Sequence, residues 1–243
     1  MSGEGIRINK FLSEIGYCSR RAADKLLEQG RITINGEVPV LGTKVMPNDV
    51  VYVDGKKVGE RTAKHVYIAL NKPRGIVCTT DQRREKNNIV DFVGHPQRIF
   101  PIGRLDKPSE GLILMTSDGD IVNKILRARN NHEKEYIVDV DRPINPRFIQ
   151  RMSGGIPILD TVTRECEVEQ LGPRKFRIVL TQGLNRQIRR MCEHLGYRVT
   201  RLKRVRIMNI ELDLPVGQWR DLTKQELKIL NRLVQTSKKT YEG

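Results

Sequence analysis

The sequence is poor in cysteine, in aromatic residues and in long apolar runs, and each shortage excludes a class of protein. Its 243 residues include 4 cysteines, and 5% of them are aromatic. Cys18, Cys78, Cys166 and Cys192 are far apart and form no C-x-x-C pair, which argues against a disulfide framework and against a cysteine zinc site. No apolar run approaches the length of a membrane span.

Spacings typical of metal or nucleotide sites are also missing. His65, His95, His132 and His194 are scattered, with no H-E-x-x-H motif. Neither a Walker-type loop nor a dinucleotide-binding glycine loop occurs. We therefore expect chemistry by ordinary side chains, without metal, thiol or cofactor. Residues 1–5 lack the layout of a signal peptide, so we expect a cytoplasmic protein.

Positive charge is what the sequence has in excess. It contains 44 Lys and Arg against 29 Asp and Glu, which gives a formal net charge of +15 and a pI of about 9.9. This balance favours a polyanionic partner, above all nucleic acid, although solubility or loose adhesion to any anion would also produce it. Residues 186–206 carry eight Arg or Lys and one Glu. We interpret that segment as a track for phosphates.

Residues 5–60 are predicted to form a small module. Apolar residues at helical spacing predict two short helices, the second capped by Ser19, and alternating residues after Gly30 predict short strands. Cationic side chains lie outside the apolar stripe: Arg7, Lys10, Arg20, Arg21 and Lys25. They would meet a phosphate backbone, although a merely solvated helix face would look similar.

Three segments of this module resemble the S4 RNA-binding domain. They are residues 7–12 (RINKFL), 18–23 (CSRRAA) and 29–36 (QGRITING). The resemblance covers about residues 5–58. It implies binding of structured RNA but no catalysis by itself. The implied RNA-binding residues are Arg7, Lys10, Ser19, Arg20, Arg21 and Lys25.

Residues 62–236 are predicted to form a larger domain, and residues 237–243 a tail. The expected fold class is α+β, with a large, mostly antiparallel mixed sheet flanked by helices. The predicted strands are residues 66–70, 98–105, 111–116, 135–140, 164–169 and 175–181. The predicted helices are residues 118–128, 145–152, 184–195 and 223–235.

Asp106 is the candidate reactive group of this domain. It follows the apolar run that predicts strand 98–105, and strand ends are a common place for reactive side chains. Gly103 lacks a side chain, which would let substrate or backbone approach closely.

Two further side chains are candidates for the same site. Alternation along strand 135–140 directs Tyr136 to the same face as Val138, where it could point into a cleft. Arg189 lies at the margin of the apolar face of helix 184–195, able to reach inward.

Each candidate also has an ordinary structural explanation. Asp106 could cap a turn, Tyr136 could be a core aromatic residue, and Arg189 could touch only solvent or phosphate. Together they favour a reactive site, because a guanidinium within about 4–6 Å of a carboxyl group between apolar walls favours its ionised form. An ionised, positioned carboxylate can act as a nucleophile.

The segments that carry these residues resemble those of the pseudouridine synthases, in the branch typified by the ribosomal small-subunit synthase A. They are G-R-L-D at 103–106, K-E-Y at 134–136 and N-R-Q-I-R at 185–189, preceded by L-N-K-P-R-G at 70–75. G-R-L-D alone would be weak, but the three motifs in this order are specific. The resemblance spans about residues 6–230.

This resemblance implies isomerisation of uridine in RNA to pseudouridine, without a cofactor. Asp106 would be the nucleophile, Tyr136 would pack against the uracil, and Arg189 would hold Asp106 ionised. Arg104 would help to keep the target nucleotide extruded. The implied substrate-binding residues are Arg104, Lys134, Asn185, Arg186 and Arg190.

The expected substrate is large-subunit (23S) ribosomal RNA. Small-subunit ribosomal RNA and tRNA are alternative substrates, because substrate choice depends on shape contacts that a sequence does not display. A non-catalytic RNA-binding or ribosome assembly protein is the alternative from another class. We expect a monomer.

Overall fold

The computed structural model describes residues 5–59, 64–127, 130–235 and 237. The chain divides into two compact units. The first comprises the residues up to His65 together with Ser117–Gly119, and the second comprises Val66–Thr116 and the chain from Asp120 onwards. The predicted boundary near residue 62 and most of the predicted tail lie outside the described residues.

The first unit contains the two expected helices and short strands. They are β1 (Ile6–Arg7), α1 (Ile8–Glu14), α2 (Arg20–Glu28), β2 (Ile32–Ile34), β3 (Lys44–Val45), β4 (Val51–Val53) and β5 (Lys56–Val58). The Ser19 hydroxyl accepts a hydrogen bond from the Ala22 amide at 3.1 Å, which confirms the predicted cap. Buried aliphatic residues of the helices and strands form one core.

The second unit is a large sheet with helices on both faces. Its strands are β6 (Tyr67–Lys72), β7 (Phe100–Pro101), β8 (Glu110–Thr116), β9 (Lys134–Val140), β10 (Pro157–Ile158), β11 (Thr161–Val162), β12 (Glu167–Gly172), β13 (Lys175–Leu180), β14 (Val199–Ile207), β15 (Ile210–Glu211) and β16 (Trp219–Asp221). Its helices are α3 (Ile89–Val93), α4 (Gly119–Leu126), α5 (Pro146–Ser153), α6 (Gln187–His194) and α7 (Lys224–Val234).

The main sheet has the strand order β12-β13-β9-β14-β8-β6-β16, with β15 on β14 and β7 on β8. The pairing of β14 with β8 is parallel, and the other pairings are antiparallel. The expected α+β class, with a mostly antiparallel mixed sheet, is therefore confirmed.

Strand β8 lies inside the sheet, next to the middle strand β14, and it is apolar on both faces. Ile113 and Met115 pack with buried residues of α5 and α6, whereas Leu112 and Leu114 pack with buried residues of α4 and α7. A strand covered on both sides reads as a continuous apolar run, which is why residues 111–116 were recognisable in the sequence.

Two sequence predictions about strands are wrong. The predicted strand 98–105 is reduced to β7, because Pro101 has no amide hydrogen to donate and Gly103 turns the chain at a φ of +81°. The predicted strand 164–169 begins later, as β12. The four predicted helices correspond to α4, α5, α6 and α7, with ends that differ by up to three residues.

The nine-residue strand β14 was not predicted. Its register with β9 shifts between Val199 and Arg201 and again between Arg204 and Arg206. These irregularities break the period of two by which a strand is recognised.

Candidate active site

A cleft of about 850 Å³ opens in the second unit. Seven of the eight residues assigned to catalysis or substrate binding from the sequence line it: Arg104, Asp106, Lys134, Tyr136, Asn185, Arg186 and Arg189. These residues come from the loop before β8, from β9, and from the segment that opens α6. The structure thus brings three distant motifs to one cavity.

Asp106 lies in a loop rather than at the end of a strand, contrary to the prediction. A β-carbon on Gly103 would lie 2.8 Å from Cδ2 of Leu126. The protein atoms closest to Gly103 are therefore those of a side chain of α4, and Gly103 itself lines the cleft. The Ser109 amide donates to the Asp106 carbonyl oxygen at 2.9 Å, so the acid begins a tight turn.

The backbone on either side of Asp106 is held by hydrogen bonds from elsewhere in the unit. The Leu105 amide donates to the sulfur of Cys78 at 3.3 Å. The carbonyl oxygen of Lys107 accepts from the Gly75 amide at 2.8 Å. The L-N-K-P-R-G segment thus supports the loop that carries the acid.

Two guanidinium groups face the carboxylate of Asp106. Nε of Arg189 lies 3.9 Å from Oδ2, and Nη1 of Arg186 lies 4.0 Å from the same oxygen. Both separations are ion-pair distances but too long for hydrogen bonds. Burial, together with the neighbouring Arg186, lowers the pKa of Arg189.

Arg189 is anchored by a residue that the sequence did not single out. Its Nη2 donates to the Ser109 hydroxyl at 2.9 Å, and both residues are buried. The signal for Ser109 was weak: a hydroxyl three residues after the acid, the spacing at which a turn returns to its start.

Strand β9 presents Lys134 and Tyr136 to the cleft. Both lie on the same face of the strand as the buried Val138, as the alternation predicted. Nζ of Lys134 donates to the carbonyl oxygen of His132 at 3.2 Å. Burial and the nearby Arg204 lower the pKa of Lys134 to about 8.

Arg204 is a second cleft residue that sequence reasoning missed. It is buried, and Nε donates to the carbonyl oxygen of Leu112 at 2.6 Å. It pairs with Tyr136 across β14 and β9, and its guanidinium contacts the face of that ring. Sequence reasoning missed Arg204 because the strand on which it lies, β14, was not recognised.

Arg190 does not line the cleft, although substrate binding was expected of it. Its Nε donates to the carbonyl oxygen of Asn185 at 3.1 Å, and its Nη2 lies 3.3 Å from the Asn185 side-chain oxygen. Arg190 thus braces the segment before α6. Arg186 in that segment adopts a left-handed φ of +50°.

The interpretation of residues 186–206 as a track for phosphates holds for only part of the segment. Nη2 of Arg201 lies 2.6 Å from a carboxylate oxygen of Glu110, and Arg206 pairs with two glutamates. Arg204 is buried. These three cations are engaged within the protein, so the segment offers fewer charges to RNA than its composition indicated.

The first unit displays most of the cations expected to bind RNA. Arg7, Arg20, Arg21 and Lys25 are exposed. Lys10 pairs with Glu14 at 3.1 Å. The Ser19 hydroxyl is used as a helix cap, which gives that residue a structural role.

Within the described ranges, no cluster of three or more His, Cys, Asp or Glu residues has the geometry of a metal site. The helices in those ranges include none with the length and hydropathy required to cross a bilayer.

Two family models match the chain. The model described as RNA pseudouridylate synthase matches residues 66–194, and the model described as S4 domain matches residues 6–51. The first match contains Asp106, Tyr136 and Arg189.

Characterised relatives and a solved structure resemble the chain over most of its length. It is 57% identical over 234 residues to the dual-specificity RNA pseudouridine synthase RluF of Escherichia coli (strain K12), an alignment that covers 96% of this chain and 80% of the relative. It is 34% identical to the ribosomal large subunit pseudouridine synthase B of Bacillus subtilis (strain 168), over 97% of this chain and 99% of the relative. The crystal structure of a pseudouridylate synthase superposes with a TM-score of 0.68 at 29% identity, covering 93% of this chain and 99% of the other.

Proposed function

The chain belongs to the RNA pseudouridylate synthase family, and on that basis we propose that its cleft isomerises uridine in large-subunit ribosomal RNA with Asp106 as the nucleophile. The protein is thus an RNA-modifying isomerase that carries an S4 domain. The convergence of Asp106, Tyr136 and Arg189 on one cleft is the observation that supports this assignment.

The reaction consumes no external reagent. The bond between N1 of uracil and C1′ of ribose breaks, the base turns, and C5 bonds to C1′. C5 loses a proton, and N1 gains one. The enzyme therefore has to supply three things. The first is a group that attacks the electron-poor ribose or triggers loss of the base. The others are a surface on which the base can turn and a route for one proton.

The Asp106 carboxylate suits the first task. Its side chain is 36% exposed, so a bound nucleotide can reach it. Two cations face it, but neither lies within hydrogen-bond distance, so its lone pairs stay available for attack. We assign to Arg189 the role of stabilising this anion.

The residues of β9 suit the second task. We assign to Tyr136 the packing against the uracil ring, and to Lys134 the stabilisation of negative charge on the departing base. Arg104 is exposed at the rim of the cleft, where it can hold the target nucleotide extruded. Extrusion of a stacked base costs a few kcal/mol, which phosphate contacts offset.

The substrate assignment is supported by the relatives. The Bacillus subtilis relative is named for the large ribosomal subunit, and the Escherichia coli relative is named as dual-specificity. We assign residues 5–60 to the S4 domain and residues 62–236 to the catalytic domain. We propose that the enzyme acts as a monomer, and a ribosomal RNA substrate supports a cytoplasmic location.

Asp106→Asn tests the assignment, because it keeps the size of the side chain and removes its charge. Ribosomal RNA from a deletion strain complemented with each variant would be mapped for pseudouridine by chemical adduct formation. We expect no modification by Asp106→Asn, with unchanged RNA affinity. The control is Asp160→Asn, an exposed residue at the tip of the β10–β11 hairpin. Equal modification by Asp106→Asn and the wild type would refute the catalytic role. No pseudouridine in the wild-type sample would favour the non-catalytic assembly protein.

A further inference from the structure

The guanidinium of Arg189 is held by one hydroxyl. Its Nη2 donates to the Ser109 Oγ at 2.9 Å in a buried environment, with Ser109 1% and Arg189 9% exposed. Nε of Arg189 is also buried, and it has no hydrogen-bond partner among the described residues. The donors of a buried guanidinium normally have hydrogen-bond partners. The lack of a partner for Nε indicates that the position of Arg189 is set by a requirement other than its own hydrogen bonding.

Ser109 also contacts the acid that Arg189 faces. The Ser109 amide donates to the carbonyl oxygen of Asp106 at 2.9 Å. One residue therefore joins the backbone of the acid to the side chain of the arginine. This double attachment sets the 3.9 Å separation between Nε of Arg189 and Oδ2 of Asp106.

The length of that separation matters for the chemistry. A guanidinium in direct contact with a carboxylate forms charge-assisted hydrogen bonds of about 2.7–2.9 Å, often two in parallel. Such bonds occupy the lone pairs with which a nucleophile attacks. At 3.9 Å, Arg189 still stabilises the negative charge of Asp106 but leaves those lone pairs free.

We infer that Ser109 is a positioning residue, which holds Arg189 at a distance from Asp106 that leaves the carboxylate free to act as a nucleophile. This inference rests on the proposed role of Asp106. Without the Ser109 hydroxyl, the nearest charged acceptor for Arg189 is the carboxylate itself, and the guanidinium would close onto it.

Ser109→Ala removes the hydroxyl and keeps the turn. We expect kcat on a ribosomal RNA fragment to fall about 10- to 100-fold, because the nucleophile is tied down. KM should change by less than about twofold, because Ser109 contributes no binding group.

Ser109→Thr retains the hydroxyl and should restore most of the activity. The matched control is Ser153→Ala, which removes the hydroxyl of a serine on α5 that bonds to the Gln150 carbonyl and does not line the cleft. This control should keep the wild-type kcat. If Ser109→Ala does not fold, Ser109→Cys takes its place, because a thiol has nearly the same volume but accepts hydrogen bonds weakly.

Two outcomes would overturn the inference. One is wild-type kcat in Ser109→Ala. The other is a loss of kcat that Ser109→Thr does not restore, together with a lowered unfolding midpoint, which is the signature of a merely structural role. Failure of the proposed function is a separate result, because it requires Asp106→Asn to remain active.

Discussion

The guanidinium carbon of Arg204 lies 5.9 Å from the centroid of the Tyr136 ring. Nε of Arg204 is fixed on the carbonyl oxygen of Leu112, so the cation cannot follow the ring if the ring turns. The ring of Tyr136 is therefore held in its orientation by the buried guanidinium of Arg204 on the neighbouring strand. This contact gives the cleft a wall of defined geometry.

Arg204→Met should leave the Tyr136 ring less firmly oriented. Methionine is apolar and of similar length, but it neither donates to Leu112 nor attracts the ring. A desolvated cation–π contact contributes about 1–2 kcal/mol, so we expect kcat to fall about tenfold. The measurement is release of label from RNA that carries tritium at uracil C5. Arg174→Met, in the exposed turn between β12 and β13, should keep the wild-type rate. An unchanged rate in Arg204→Met would show that Tyr136 needs no such support.

Lys134 should make stability depend on pH. Its pKa is about 8 in the native state against an ordinary value of 10.5, because burial penalises the charged form. Between these two values the unfolded chain binds more protons than the native one, so stability from this group rises with pH across that window. Below pH 8 the penalty is fully present. Each pKa unit corresponds to about 1.4 kcal/mol.

Other groups titrate in the same range, so Lys134→Met is the reference. We expect this variant to be more stable than the wild type near pH 7, with a difference that shrinks as pH rises towards 10. Urea unfolding at pH 7, 8, 9 and 10 measures it. A difference independent of pH would mean that Lys134 keeps its ordinary pKa.

Gly111 is required where the two central strands meet. It has a φ of +107°, and a β-carbon there would lie 2.2 Å from the carbonyl oxygen of Arg204. Because the obstacle is backbone, no rotamer change relieves it. Gly111→Ala should destabilise the protein by more than about 4 kcal/mol, which chemical denaturation or loss of soluble protein would report. Gly59→Ala, with no heavy atom of the described residues within 4 Å of the new carbon, should be tolerated. A wild-type unfolding curve for Gly111→Ala would contradict this account of the parallel pairing.

These contacts also mark what a sequence can predict. The apolar run of β8 and the alternation of β9 were recognisable, because each pattern reflects the burial of one strand. Strand β14 was not, because its arginines are neutralised by partners far along the chain, such as Glu110. The same charges that made this strand hard to recognise led to the interpretation of residues 186–206 as a track for phosphates.

The site divides in the same way. Motifs and their order pointed to Asp106, Tyr136 and Arg189, whereas Ser109 carried only a weak local signal and Arg204 carried none. Ser109 contacts a residue 80 positions away, and Arg204 reaches Tyr136 only across paired strands. Contacts of this range are decided by tertiary packing, which no short window of sequence records.

Acid should weaken the attachment of α7 to β16. Arg220 donates to both carboxylate oxygens of Glu226 at 2.8 Å, and this hydrogen bonding lowers the pKa of Glu226 to about 2 from an ordinary value of 4.5. The stabilisation is therefore complete above pH 4.5 and is lost as pH falls towards 2. Arg220→Met should destabilise the protein at pH 6, with a deficit that narrows between pH 4.5 and 2.5. Thermal unfolding across that range measures it, and a constant deficit would exclude Glu226 as the source.

Arg20 and Arg21 occupy the first turn of α2, where a helix disfavours cations. The unpaired amides there carry partial positive charge, and the first turn holds no acidic residue. Two exposed arginines at this end therefore cost the helix a few tenths of a kcal/mol and point to a binding role.

Arg20→Ala combined with Arg21→Ala should keep or slightly raise the unfolding midpoint. KM for RNA should rise, with kcat at saturating RNA unchanged. The slope of log Kd against log salt should fall by about one for each phosphate contact removed. Lys56→Ala with Lys57→Ala, on β5, removes the same charge and should leave that slope nearer the wild type. Equal losses in the two double variants would mean that the first unit attracts RNA by net charge alone, without a defined face.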